Sequence, residues 1–125
     1  MRVPCQITQW YLLPAISAEL VREMKRLGVK QAEIARMMGV TPAAVSQYVK
    51  GKRGKVIQFD AGVRKLITSS AKRIASTGIS DEDLSREICE LCIQARKSKT
   101  VCDFHKSMGG VRDDCKLCVG GLNAR

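Results

Sequence analysis

Apolar residues recur at three- and four-residue spacing through most of the chain, and the runs break where glycine, proline or a capping side chain intervenes. From Ala15 to Leu27 the run is Ile16, Leu20, Val21, Met24 and Leu27, an amphipathic helix stopped by Gly28. Ahead of it, residues 1–13 mix β-formers and aromatics before Pro14; a short extended arm and a part of the first helix both fit. Trp10 and Tyr11 are expected to cap the core, with a dimer contact as the alternative. Ile34, Ala35 and Met38 share one face of a second, short helix, and Gly39 ends it because a residue past a helix C-terminus often needs positive φ. Val40 can then tuck back under the turn. A third helix starts at once, with Thr41 as its cap, Pro42 in its first turn, and Val45, Tyr48 and Val49 turned inward.

Further along, Val56, Ile57 and Phe59 form a brief apolar stretch expected to close the core as an extended connector. Asp60 caps a fourth helix with Val63, Leu66, Ile67, Ala71 and Ile74 inside and Arg64, Lys65, Lys72 and Arg73 outside. Thr77 and Gly78 mark a boundary. Ser80, with Asp83 three residues on, starts a last helix whose inner side is Leu84, Ile88, Leu91, Cys92 and Ala95. It is long enough to dock on the preceding helices or to pair with a second copy. Periodicity ends after Lys99. The pattern therefore predicts an all-α protein: a helical domain over residues 1–77, then a C-terminal helix and an irregular cysteine-rich tail over 78–125.

The second and third helices, residues 31–53, have the spacing and turn chemistry of a helix-turn-helix, a unit that places one helix in a DNA major groove. With Val45 and Tyr48 inward, Thr41, Ala43, Ser46, Gln47 and Lys50 are left outward. Gln47 can pair bidentately with adenine, Ser46 can bond several bases, and Ala43 can meet a thymine methyl. Gln31, at the start of the first of the two helices, would face phosphate. Lys50, Lys52, Arg53 and Lys55, with Gly51 and Gly54 between them, form a basic exit beside the DNA backbone. The blander alternative is a helical hairpin of some other all-α domain.

Charge sharpens this picture. The 125 residues carry a formal net charge of +10, but residues 1–76 hold 14 Lys and Arg against 4 acids while residues 77–125 hold 8 against 8. The excess lies with the helix-turn-helix, which points to a polyanion there, against the alternative of a merely solvated face. The sequence holds no run of the roughly 18 apolar residues a membrane span needs, and its first residues are too short and polar in their core for a signal peptide. A cytoplasmic location is expected, with no membrane partner. With 45% hydrophobic residues the chain can fill a modest core, aliphatic because aromatics are only 4%.

The stretch A-R-M-M-G-V-T-P-A-A-V-S-Q-Y-V-K-G-K-R-G resembles the repressor-type helix-turn-helix of XRE, or lambda-repressor-like, regulators over roughly residues 15 to 76. With its N-terminal V-P-C and cysteine-rich tail, the whole chain also resembles a family of small archaeal regulators of that type. The resemblance implies a DNA-binding transcriptional regulator with a tail able to hold metal.

Six cysteines in a reducing compartment point to metal or redox chemistry more than to disulfides. Cys89 and Cys92 are i and i+3 on the last helix, so both can face one centre, and Cys115 and Cys118 can do likewise from a turn. Two such pairs are the halves of a tetrahedral thiolate site, and the 22 residues between Cys92 and Cys115 suffice to join them. The residues from Thr100 to Arg125 hold too little apolar surface to fold without a staple. Cys102 makes a fifth tail thiol. Zinc and an iron–sulfur cluster both suit the set; a spare thiol favours a sensing site, and by that argument together with the resemblance a [4Fe–4S]-type cluster is preferred to zinc. Cys5 reads as a core thiol and His105 as a turn residue. The expected protein is thus a homodimeric, sequence-specific regulator, expected to act as a repressor, not an enzyme and with no small-molecule substrate. Its alternatives are a regulator whose zinc-held tail serves protein interaction and, more remotely, a thiol or cluster redox protein. Against the last stand the absence from the sequence of a βαβ pattern around either cysteine pair, of a nucleotide loop and of a catalytic triad.

Overall fold

A computed structural model of the chain describes residues 11–51, 57–77, 79–98 and 103–104. Among these residues the regular structure is wholly helical: α1 Leu13–Arg26, α2 Gln31–Met38, α3 Pro42–Val49, α4 Ala61–Thr77 and α5 Asp81–Arg96. No helix among them is long and apolar enough to cross a membrane.

The first helix begins earlier than Ala15 because Pro14, lacking an N–H, costs nothing in a first turn whose amides have no intrahelical partner. Leu12, just ahead of it, is completely buried. α1 is the hub and packs against each of the other four helices. Hence it buries more than one stripe: Ile16, Leu20, Val21 and Met24 fill the centre, while Ala15 and Ala18 let neighbouring backbones approach. Its end is closed by a pair of turn bonds, Gly28 N–H to Lys25 C=O (3.0 Å) and Val29 N–H to Met24 C=O (3.1 Å), with Gly28 at φ 92°. The turn sends Leu27 outward. Contrary to the periodic expectation it is 48% exposed, because the helix stops one residue before it.

The same closure recurs after α2, where Val40 N–H reaches Ala35 C=O at 3.0 Å and Gly39 sits at φ 66°. Thr41 Oγ1 then accepts the Ala44 N–H at 3.1 Å, as its cap role requires. After α3 the connector residues Ile57 and Phe59 are buried, and Asp60 Oδ1 accepts the Val63 N–H at 2.9 Å to start α4. Leu66 is 43% exposed, a second departure from the expected inner stripe. Val63, Ile67, Ser70, Ala71 and Ile74 define the buried line, and Leu66 lies roughly a quarter-turn round the helix from its centre. Ser70 takes the inner place instead. Its hydroxyl is satisfied by Glu87 Oε1 at 2.9 Å, and Arg73 Nε donates to Glu87 Oε2 at 2.7 Å, so a polar clasp fastens α5 to α4.

α5 starts as read, with Ser80 Oγ accepting the Asp83 N–H at 3.2 Å and three acids in the first turn. It docks on α1 and α4 through Leu84, Leu91, Cys92 and Ala95, with Ile88 partly buried beside them. Tyr11 meets Phe104 edge-on, ring centroids 5.4 Å apart, which brings a tail residue against the start of α1. Trp10 lies outside the described residues.

Candidate nucleic-acid interface

α3 turns Ala44, Val45 and Tyr48 into the core and leaves Thr41, Pro42, Ala43 and Lys50 exposed, with Ser46 and Gln47 half-buried at the rim. Val49 is only partly covered, and the small Ala44 takes an inner place to which the periodic reading gave no role. Gln31, half-buried, opens α2 beside the exposed Lys30. Of the five positions expected to face outward, Thr41, Ala43 and Lys50 are thus exposed and Ser46 and Gln47 half-buried, along or at the ends of a two-turn helix. Lys52 and Arg53, with Lys55, lie outside the described residues. Gly51 leaves the helix at φ 76° and donates its N–H to Tyr48 C=O at 3.1 Å, so the chain turns sharply just ahead of the basic exit.

Exposed positive charge accompanies the unit. α3 has no acid in its first turn, while Lys25, Lys30 and Lys50 stand exposed around the unit. Arg26 and Arg36 are each drawn to a glutamate of their own helix, Glu23 and Glu33, one turn away. One residue absent from the expected set takes part: Arg22 of α1 donates from Nε to Tyr48 C=O at 3.0 Å. The contact spans 26 positions of sequence, so no local spacing signals it.

Two short helices crossing through a glycine turn, the second capped and outward-facing, define a helix-turn-helix unit. In agreement, the family model described as helix-turn-helix matches residues 20–55, from the middle of α1 through the basic exit, and supports an XRE-like reading of this unit. No curated protein and no solved structure matches the chain.

Of the expected metal ligands, Cys89 is exposed and Cys92 buried, both as free thiols on α5. Burial pushes the Cys92 thiol up to about 11, the neighbouring Cys89 adds to the rise, and Arg96 opposes it. Burial of Cys92 means that a bound cation would have to offset the cost of forming the thiolate there. Cys102, Cys115 and Cys118, like Cys5 and His105, lie outside the described residues. Among the described residues, no three or more His, Cys, Asp or Glu side chains are grouped to hold a metal ion.

Proposed function

We propose that this protein is a sequence-specific, double-stranded-DNA-binding transcription regulator acting as a homodimer, a binder and not an enzyme. One observation carries the reading: the helix-turn-helix matched over residues 20–55 keeps its polar second-helix side open to solvent, within the half of the chain that holds the excess positive charge. Gln47 and Ser46 are the proposed base readers, Ala43 a methyl contact, and Gln31, Thr41, Lys50, Lys52 and Arg53 the groups that seat the unit on phosphates. A dimer would set two reading helices about one DNA turn apart, roughly 34 Å, and so favour a near-palindromic site. Selection of duplexes from a randomised pool, followed by footprinting, tests this directly. Gln47→Ala should weaken binding to the selected site and leave random DNA nearly unaffected, whereas Lys52→Ala should weaken both. Equal losses by both variants on both duplexes would refute the assignment of readers.

The tail is proposed to hold a metal centre through four of Cys89, Cys92, Cys102, Cys115 and Cys118. An iron–sulfur cluster, most simply [4Fe–4S], suits a thiolate set with a spare member, and it would report redox, oxygen or iron status to the dimer, most simply as a repressor in a cytoplasmic setting. The i, i+3 spacing of Cys89 and Cys92 on α5 is the support for a shared centre and does not discriminate its metal. Anaerobically purified protein separates the readings: a broad visible absorption with iron and acid-labile sulfide supports the cluster. Colourless protein with one zinc per chain instead makes the tail a structural element for protein interaction.

A further inference from the structure

The reading helix is short and its C-terminal end is poorly provided for by its own sequence. α3 has eight residues and no basic residue in its last turn, and its C-cap Lys50 is solvent-exposed, where its charge is screened from the end of the helix dipole. A shielded, directly bonded cation comes from another helix. Arg22 of α1 donates to Tyr48 C=O from Nε (3.0 Å) and to Glu19 Oε1 from Nη1 (2.7 Å). Glu19 Oε2 in turn accepts from Arg64 of α4 at 3.1 Å. The Arg22 and Glu19 side chains are 17% and 16% exposed, shielded enough for their geometry to be fixed, while Arg64 is 51% exposed.

From this chain of bonds we infer that Arg22 is a positioning residue for DNA reading: held by Glu19, it sets the pitch of α3 from behind. The inference rests on the DNA-binding reading above. Its physical basis is a difference in tolerance. Base-edge hydrogen bonds fail when donor and acceptor move by about half an ångström, whereas long lysine side chains follow a phosphate through such a shift. Loosening the rear anchor should therefore erode discrimination and spare general affinity.

The experiment uses the full chain with two probes, the duplex recovered by selection with wild-type protein and a random duplex of equal length. R22Q should lower affinity for the selected duplex by about tenfold and for the random one by less than about twofold. It should also speed amide exchange at Lys50 and Gly51, at the end of α3, and leave Ala44 unaffected. R22K, which keeps the cation but cannot serve two acceptors from separate nitrogens, should fall between, and E19Q should act in the same direction. If R22Q does not fold, R22K and E19Q carry the same comparison. An unchanged ratio between duplexes overturns the inference, as does unchanged exchange at Lys50 and Gly51. A uniform loss on both duplexes with a smaller salt dependence overturns it too, by making Arg22 a phosphate contact. If wild-type protein selects no duplex at all, the DNA-binding reading itself is what fails.

Discussion

Thr41 and Gly39 hold the turn between α2 and α3 by different means, and the difference is measurable. Thr41 satisfies a free amide of α3, so Thr41→Ala should cost about 1 kcal/mol in urea unfolding. Gly39 meets no steric obstacle, since a Cβ built there has nothing within 4 Å, yet its φ of 66° is costly for a branched or β-substituted residue. Gly39→Ala should therefore also cost about 1 kcal/mol, from the backbone alone, and Gly39→Asn less. If Ala and Asn were equally tolerated with no loss, the left-handed turn would not be what closes α2. Both roles were legible in the sequence because each depends on residues within a few positions. Arg22 was not legible, since its value comes from a carbonyl contributed by another helix.

At the scale of elements, the α4–α5 clasp turns a pH change into a change of packing. Glu87 is held below its ordinary value of 4.5, first by the hydrogen bond from Arg73, against the opposing effect of burial, with further help from the Ser70 hydroxyl. A carboxyl depressed on folding contributes stability above its unfolded value and loses that contribution as pH falls through the folded one. The clasp should therefore weaken below about pH 4.5 and be unaffected near neutrality. Because Arg73 is 57% exposed, the contribution is about 1 kcal/mol or less. Urea midpoints measured from pH 7 to pH 3 should fall less steeply for Glu87→Gln than for wild type; parallel curves would deny the clasp a role in stability. Helix boundaries and caps were readable here, but the clasp was not. Periodicity treats Leu66 as inner because apolar side chains are assumed to point inward. Ser70 holds a place in the buried line because a partner 17 residues away satisfies its hydroxyl.

For the whole molecule, the core of the described residues runs from Leu12 to Ala95, draws on all five helices and is almost wholly aliphatic, with Phe104 packed at its edge. Chelation should accordingly leave the far-ultraviolet circular dichroism and the main thermal transition nearly unchanged, while Leu20→Ala, at a completely buried site of the hub, should cost about 2–5 kcal/mol in one cooperative step. Loss of the helical transition on chelation would mean that a bound metal, and not aliphatic packing, holds the bundle. The central place of α1 also has a consequence during synthesis. This helix leaves the ribosome before any of the four that cover it, so part of its apolar surface stays uncovered until the distant α4 has emerged. Nascent chains whose emerged part ends at Val49 should engage a holdase chaperone, and chains whose emerged part extends past Ile74 should let it go.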